Sequence, residues 1–247
     1  MAAVTLLSTD GLCRHFGGLR AVDGVDFSLN RGEVRAIIGP NGAGKTTFVS
    51  LICGRILPSS GSITFEGRNI SALPAHRRVE LGIAYTFQIT SIFGNLSVFD
   101  NVALAVQNSM HRAGGSFFWL DEAQMRRRIF EALDHVGLDD RHDVKASALS
   151  YGHQRLLEVA MGLALSPKLL ILDEPTQGLS DAEIAGFCKL VRSIAEDATV
   201  LLIEHNMDVV MEVAGRITVM NNGTILSEGT PAEIRDDEAV QHAYLGT

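Results

Sequence analysis

The sequence predicts an α/β protein with three parts: a parallel-sheet core that carries a phosphate-binding loop, an N-terminal antiparallel sheet and an inserted helical lobe. Three observations lead to this prediction. Residues 39–46 read GPNGAGKT, which matches the P-loop pattern G-x-x-x-x-G-K-S/T. Residues 33–38, 168–173 and 199–204 are nearly unbroken apolar runs, typical of parallel strands covered on both faces. Residues 89–160 are mostly helical by pattern.

The N-terminal part has the pattern of half-buried strands. Residues 4–29 alternate loosely between apolar and polar side chains, and Gly17, Gly18 and Gly24 suit turns. Residues 61–67 look like another strand of this kind. These segments predict an antiparallel sheet.

The chain shows no repeat and no low-complexity linker, and its 247 residues are enough for one large domain or two small lobes. The turn sequence NNG at residues 221–223 lies between two short apolar runs and predicts a β-hairpin near the C-terminal end. We predict a single domain over residues 1–247. The core and the antiparallel lobe take up about 1–88 and 161–247, and the helical lobe about 89–160.

The P-loop has a direct chemical reading. Backbone N–H groups can surround a polyphosphate only where side chains do not intervene, which explains Gly39, Gly42 and Gly44. Lys45 is expected to reach the β- and γ-phosphates, and the Thr46 hydroxyl to hold Mg²⁺. The N-terminus of the following helix adds a partial positive charge. The residues expected to hold the nucleotide are Gly39, Pro40, Asn41, Gly42, Ala43, Gly44, Lys45, Thr46 and Thr47.

A second motif ends in two carboxylates. Residues 169–174 read LLILDE, a buried strand that delivers Asp173 and Glu174 to its carboxyl end, where ligands of α/β sheets collect. Alone, this pattern is typical of a strand that meets a solvated turn. Together with a P-loop, it predicts Asp173 in the Mg²⁺ shell and Glu174 as the group that polarises the attacking water.

Composition narrows the classes of partner and location. A net charge of −8 and a pI near 5.5 argue against a nucleic-acid partner. The three cysteines are far apart in sequence and form no C-x-x-C pair, which fits reduced thiols in the cytosol. The N-terminus does not look like a signal peptide, and the apolar segment 156–172 is interrupted by polar residues and proline. We expect any membrane association to go through a partner.

A third motif makes a family visible. Residues 149–154 read LSYGHQ, begin a helix, and resemble the LSGGQ signature of ABC ATPases. The resemblance covers essentially the whole chain and implies an ABC-type nucleotide-binding domain with a RecA-like core. Phe16 falls where the family stacks an aromatic ring on adenine, and Gln88 matches the Q-loop glutamine. Residues 178–181 stand at the D-loop and His205 at the switch histidine.

Five segments suggest a subfamily, because they look like the ATP-binding subunits of branched-chain amino acid importers. The resemblance implies a peripheral subunit on the cytoplasmic face of a bacterial or archaeal membrane. It implies import of branched-chain or other hydrophobic amino acids, or of related amides such as urea. The segments are FGGLRAV at 16–22, TFQ at 86–88, LSYG at 149–152, IEHNMD at 203–208 and AYLG at 243–246.

The resemblance also implies how the parts work. Two such domains pack head to tail with ATP between them, and Ser150 and the N–H of Gly152 reach the γ-phosphate from the other chain. Glu174, His205 and Gln88 take the catalytic positions. The Mg²⁺ shell is expected to contain Thr46, Gln88 and Asp173.

The chain departs from the family pattern at three positions. Tyr151 replaces the first signature glycine, His153 stands where glutamine is usual, and Ser180 stands where the D-loop carries Asp or Asn. These departures leave open the signature contacts and the coupling between the two ATP sites.

The resemblance also implies that the helical lobe passes motion to transmembrane permease subunits. We expect part of residues 89–99 to contact the permease, because they follow Gln88 directly. Residues 117–119 are expected in the core of the lobe. Met207 and Met211, one helical turn apart, are expected in the core next to His205.

Two alternatives remain open from the residues: a soluble ABC ATPase not tied to transport, and a regulatory ATP-binding module with little hydrolysis. A soluble factor fits poorly with a single acidic nucleotide domain, and Glu174 and His205 argue against a non-hydrolysing module. The partners expected are permease subunits, a second ATP-binding subunit in a homodimer or heterodimer, and indirectly a substrate-binding protein. In such a transporter the ATPase does not touch the transported molecule, so the resemblance carries the substrate assignment alone.

Overall fold

The computed structural model describes residues 4–86, 91–112 and 121–245, except for the side chains of 111–112 and 244–245. The chain divides into two compact units. The first unit contains Met1–Leu81 and Val191–Thr247, and the second contains Gly82–Leu190. The predicted limits of the helical lobe stay a prediction.

The strands of the described residues are short except for the first two. They are β1 Thr5–Phe16, β2 Leu19–Asn30, β3 Val34–Ile38, β4 Ser60–Phe65, β5 Arg68–Asn69, β6 Ile83–Thr86, β7 Leu169–Asp173, β8 Thr199–Ile203, β9 Arg216–Asn221 and β10 Thr224–Gly229.

The α-helices of the described residues range from one and a half turns to almost five. They are α1 Lys45–Ile52, α2 Ala75–Leu81, α3 Val98–Arg112, α4 Glu122–His135, α5 Tyr151–Ala164, α6 Asp181–Asp197, α7 Met207–Val213, α8 Pro231–Arg235 and α9 Glu238–Leu245.

The predicted antiparallel sheet is present in the first unit. Its order is β2-β1-β4-β5, and the turn between β1 and β2 falls at Gly17 and Gly18 as expected. The turn predicted at Gly24 is wrong: Gly24 lies inside β2, with a φ of 64°. The pairing of β1 with β2 shifts register between Leu12 and Arg14, and Gly24 provides the backbone conformation that this irregularity in the ladder needs.

The first unit also contains the central strand β3, whose five residues are all buried. It pairs in parallel with β8 on one side and with β9 on the other, as its apolar composition predicts. The strand β10 returns antiparallel to β9, which confirms the predicted hairpin. The helix α7 covers this sheet, and Met207 and Met211 pack against the apolar cluster beneath it, as expected.

The second unit pairs β6 with β7 in parallel, with Ile83 opposite Leu169 and Thr86 opposite Leu172. The sequence does not predict β6, because four residues are too few to show a period. The helices α3, α4 and α5 pack on one another in the same unit. Residues 117–119, expected in the core of the helical lobe, lie outside the described residues.

Candidate functional site

The P-loop connects β3 to α1, as predicted. Gly39 has a φ of 150°, and a Cβ added to it would lie 2.1 Å from the carbonyl oxygen of Met220. Gly44 has a φ of 100°, and its added Cβ would lie 2.3 Å from the carbonyl oxygen of Ala21. Both glycines are therefore required by neighbouring backbone. Gly42 has a φ of 81° and open space around it, so only its conformation requires glycine.

Lys45 is folded back onto its own loop. Its ammonium group donates to the carbonyl oxygens of Gly39 at 2.6 Å and Pro40 at 3.1 Å, and the residue is 6% exposed. Thr46 is exposed in the first turn of α1. Gly44 is the N-cap residue and has no side chain to occupy the first amides of the helix. The loop therefore combines amide donors, a cation and a hydroxyl group within one turn of helix.

Phe16 ends β1 and is 46% exposed. The guanidinium carbon of Arg14 lies 4.5 Å from the centre of its ring. The chain then enters β2, where the Ala21 carbonyl is next to Gly44 of the P-loop. The turn between β9 and β10 also contacts the P-loop, since the N–H of Gly223 donates to the carbonyl of Ala43 at 3.0 Å. The exposed ring and the P-loop thus belong to one connected region of the first unit.

His205 follows β8 and is exposed. Because Ile203 pairs with Ile37 in the parallel ladder, His205 leaves the sheet at the same edge as the P-loop. The carboxylate of Glu204, which is 3% exposed, accepts hydrogen bonds from the backbone N–H groups of His205 at 2.8 Å and Asn206 at 3.1 Å. The turn that carries His205 is therefore fixed by a buried side chain.

Asp173 and Glu174 lie in the second unit, at the carboxyl end of β7. Asp173 is 1% exposed and accepts a hydrogen bond of 2.6 Å from the Tyr85 hydroxyl on the neighbouring β6. Glu174 has a φ of 47°, which is uncommon for a residue other than glycine. Such strained positions are concentrated at functional sites. The predicted approach of these carboxylates to the P-loop stays a prediction.

The signature residues form the N-terminus of α5. Ser150 is the N-cap, and its hydroxyl oxygen accepts from the N–H of His153 at 3.3 Å. The Ser150 oxygen also lies 2.7 Å from Nδ1 of His153. Gly152 is buried, and a Cβ there would lie 2.3 Å from a carboxylate oxygen of Glu183. His153 therefore engages the serine that the family uses as a phosphate contact.

The D-loop segment is tied to the same region. The Ser180 backbone N–H and hydroxyl donate to Glu183 at 2.8 and 2.7 Å. These hydrogen bonds, the backbone one first, hold the pKa of Glu183 below its ordinary value. Gly178 has a φ of 79°, and a Cβ there would meet the Tyr151 ring at 2.9 Å. Tyr151, which stands where the family's signature has its first glycine, therefore packs on the D-loop.

Gln88, predicted as a catalytic and Mg²⁺-binding residue, lies outside the described residues. The description resumes at residue 91, where the N–H of Ser91 donates to Glu158 at 3.1 Å. Phe93 is 53% exposed, and its backbone is held by the buried Asn101. Val98, in contrast, is buried at the start of α3.

Three residues that support the site are absent from the sequence-based set of site residues. Tyr85, Glu183 and Glu204 each hydrogen-bond a segment predicted to function, and each lies on or next to a different element. The only sequence signal is that Glu204 precedes the switch histidine. The contacts of Tyr85 and Glu183 require partners brought together by folding.

Within the described part of the chain, no helix is long and apolar enough to cross a membrane.

Comparisons with known proteins agree with the family that the motifs indicate. A model of the ABC transporter family matches residues 22–177, and a model of the branched-chain amino acid ATP-binding cassette transporter matches residues 224–247. The chain is 39% identical over 250 residues to the high-affinity branched-chain amino acid transport ATP-binding protein LivG of Salmonella typhimurium, with 98% of both chains covered. It is 36% identical over 249 residues to the corresponding BraF of Pseudomonas aeruginosa, again with 98% of both covered.

Solved structures agree with the fold. A nucleotide-free ATP-binding cassette from an ABC transporter superimposes with a TM-score of 0.87 at 29% identity, covering 99% of this chain and 100% of the other. The ADP conformation of the cassette MJ1267 gives a TM-score of 0.86 at 29% identity, with the same coverage. These comparisons confirm the predicted ABC-type fold with its antiparallel subdomain. The chain is an ABC ATPase and belongs to the family of ATP-binding proteins of branched-chain amino acid ABC transporters.

Proposed function

We propose that this chain hydrolyses MgATP to drive the import of branched-chain or related hydrophobic amino acids through a membrane ABC transporter. The observation that carries the proposal is the P-loop of the first unit, where two glycines are required by neighbouring backbone and Lys45 lies inside the loop. The names of the relatives LivG and BraF support the amino-acid substrate.

In the proposed site the triphosphate lies in the glycine loop. Lys45 exchanges its bonds to the Gly39 and Pro40 carbonyls for phosphate oxygens, a change from neutral to charged acceptors that strengthens each bond. The exposed face of Phe16 stacks on adenine, while Arg14 covers the ring from another side. Residues 39–47 supply the remaining amide and hydroxyl contacts.

The available side chains fit Mg²⁺, which prefers oxygen ligands. Thr46 offers an exposed hydroxyl next to Lys45. Asp173 offers a buried carboxylate oriented by Tyr85. Thr46, Asp173 and Gln88 would hold the ion, which when bound neutralises charge on the phosphate oxygens.

The hydrolytic step needs a positioned water more than it needs covalent chemistry. We assign Glu174 to polarise that water and His205 to orient it and contact the γ-phosphate. Glu204 keeps His205 at the edge of the sheet through two backbone hydrogen bonds. Ser150 and the N–H of Gly152 would reach the γ-phosphate from a second cassette.

The proposed partners are two permease subunits, a second ATP-binding subunit and indirectly a substrate-binding protein, at the cytoplasmic face of the membrane. Segment 91–99 is the proposed permease contact. The proposal is supported by the exposed side chain of Phe93, whose backbone N–H and carbonyl are both hydrogen-bonded to the buried side chain of Asn101.

The replacement Glu174→Gln tests the chemistry, because it keeps the shape of the side chain and removes its negative charge. We expect ATP affinity to be retained and turnover to fall by a factor of about 10² or more. We also expect the variant to form a stable dimer with MgATP, detected by analytical ultracentrifugation. Glu196→Gln, an equivalent change at an exposed site on α6, should behave as the wild type.

Wild-type protein that binds ATP but does not hydrolyse it, even with its permease partners, would refute the enzymatic proposal. The substrate is tested separately in proteoliposomes that contain the permeases and the binding protein. Leucine should stimulate ATP hydrolysis there. Stimulation by urea alone would replace the amino-acid assignment and leave the ATPase assignment intact.

A further inference from the structure

One face of the β1–β2 hairpin carries three side chains that the proposed ATPase does not use. Cys13 and His15 are two residues apart in β1, so they project from the same face. Asp23 lies on the paired strand β2 beside them. One potential ligand atom from each residue lies within 4.8 Å of the other two.

The pair distances are close to those of ligands around one ion, and one of them is slightly longer. His15 Nε2 lies 3.5 Å and Cys13 Sγ 4.0 Å from the same carboxylate oxygen, Oδ1 of Asp23. A tetrahedral ion with bonds of about 2.0–2.3 Å separates its ligand atoms by roughly 3.3–3.8 Å. Small side-chain rotations would therefore complete the geometry.

The three groups are oriented by outer contacts. The N–H of Gly24 donates to Cys13 Sγ at 3.1 Å, and the sulfur lies 3.4 Å from the Gly11 carbonyl oxygen, so two backbone groups orient it. Arg20 donates to Oδ2 of Asp23 at 3.1 Å, which leaves Oδ1 directed at Cys13 and His15. Gly24 lies inside β2 and not in a turn, and this position brings its N–H to the sulfur.

The backbone between the ligands is also fixed. Ser59 donates its N–H to the Cys13 carbonyl at 2.8 Å and accepts from the His15 N–H at 3.0 Å. Among the described residues, Nε2 of His15 is a buried nitrogen with no hydrogen-bond partner. This nitrogen lies 3.5 Å from Oδ1 of Asp23, a distance at the limit of a hydrogen bond, so an ion bound between the two atoms would satisfy both.

We propose that Cys13, His15 and Asp23 bind one Zn²⁺ ion, with water at the fourth position. A thiolate, an imidazole and a carboxylate together favour Zn²⁺, whereas Mg²⁺ and Ca²⁺ prefer sites made only of oxygen. The site shares no residue with the proposed ATP and Mg²⁺ contacts. The ion would link β1 to β2, since two of its ligands lie on β1 and one on β2. His15 directly precedes Phe16, so the site is next to the proposed adenine contact.

Metal binding is tested on tag-free, reduced full-length protein, first stripped of metal. Zn²⁺ is titrated in competition with a chromophoric chelator, and Co²⁺ is substituted to look for thiolate-to-cobalt charge transfer. We expect one ion per chain and a charge-transfer band in the wild type. Cys13→Ser should abolish the band and weaken Zn²⁺ binding by at least about 100-fold. Removing a residue that only hydrogen-bonds a metal ligand already costs up to about 100-fold, so removing a ligand itself should cost at least as much.

Matched controls separate the site from other thiols and imidazoles. His15→Gln should weaken binding as Cys13→Ser does, whereas His76→Gln, at an exposed position on α2, should not. Cys188→Ala, in a buried position on α6, should keep both the affinity and the band. Equal Zn²⁺ affinity in the wild type, Cys13→Ser and His15→Gln would overturn the proposal.

A spectroscopic measurement on the wild type does not depend on the variants folding. X-ray absorption of the zinc-loaded protein should show one sulfur ligand and two or three nitrogen or oxygen ligands. A spectrum without sulfur would overturn the proposal, whatever the ATPase assays show. The ATPase proposal would stand in that case, since it rests on other residues.

Discussion

Single residues of the P-loop are placed by backbone contacts more than by their own chemistry. Gly39 and Gly44 face the carbonyl oxygens of Met220 and Ala21, which belong to elements far away in sequence. Lys45 is pre-positioned by two carbonyls of its own loop. Because the cation is already buried at the loop, little side-chain entropy remains to be lost when a phosphate arrives.

The first prediction concerns Lys45→Ala. Removing a charge-assisted hydrogen bond costs about 1.5–3 kcal/mol, so we expect a loss of nucleotide affinity of about 10- to 100-fold. Titration with a fluorescent ATP analogue measures this loss. Lys189→Ala removes the same charge from an exposed position on α6 and should leave affinity unchanged. Equal affinity in both variants would contradict the assignment of Lys45.

At the scale of elements, α1 is anchored at both ends. Its first turn forms the P-loop, and its last turn is capped by Arg78 of α2, which is fully buried. The Arg78 guanidinium donates to the carbonyls of Leu51 at 2.5 Å and Ile52 at 2.9 Å, and further to Ser71 at 3.0 Å. Burial lowers the pKa of Arg78 to about 10, so it remains charged at neutral pH.

The second prediction follows from that cap. Arg78→Met fills similar volume and removes the donor to the carbonyls of Ile52, Ser71 and Leu73, whereas the Leu51 carbonyl keeps the N–H of Gly54. The cost is about 1–3 kcal/mol for each group that water cannot reach. We expect the free energy of unfolding, measured with urea, to fall by at least about 3 kcal/mol. The neighbouring Arg77→Met breaks only an exposed ion pair with Glu80 and should change stability by less than about 1 kcal/mol. Similar losses in both variants would argue against the cap.

The third prediction concerns pH and the helix α8. Thr230 and Glu233 form a capping box, and the backbone N–H of Thr230, followed by its hydroxyl, lowers the pKa of Glu233 from its ordinary value of 4.5. A lowered folded pKa means that the carboxylate stabilises the fold above pH 4.5 and loses this effect as the pH falls through the lowered pKa. Wild type should therefore exceed Glu233→Gln in stability near neutral pH, and the difference should shrink in acid.

Urea unfolding near neutral pH and below pH 4.5 measures this difference. Glu196→Gln serves as the control for loss of a carboxylate on an exposed helix surface. A constant difference between wild type and Glu233→Gln across the two conditions would refute the prediction.

For the whole molecule, the proposed division of the ATP site between two chains has a direct consequence. If Ser150 completes the ATP site of a partner cassette, a defect at Lys45 and a defect at Ser150 lie in different chains of that site. The fourth prediction is that Lys45→Ala and Ser150→Phe are each inactive alone but recover ATPase activity when mixed, because mixed dimers contain one intact site. The control is a mixture of Lys45→Ala with a Lys45→Ala, Ser150→Phe double variant, which should stay inactive. Failure to recover activity would exclude a head-to-tail pair of this chain.

The sequence by itself determined the parts whose signal is local. The P-loop, the apolar strands β3, β7 and β8, the β9–β10 hairpin and the start of α5 each follow from short motifs or from periodicity, because these depend on neighbours within a few residues. The family followed from the same motifs and their order along the chain.

Only the tertiary structure decided which distant residues meet. It brought Tyr85 into a hydrogen bond with Asp173, Arg78 into hydrogen bonds with the last carbonyls of α1, and Glu204 into a hydrogen bond with the backbone of His205. It also turned the predicted break at Gly24 into a strand irregularity whose amide reaches Cys13. The physical reason is that strand register and side-chain packing depend on the whole fold: a shift of one residue reverses which face a side chain occupies, and no local pattern fixes that choice.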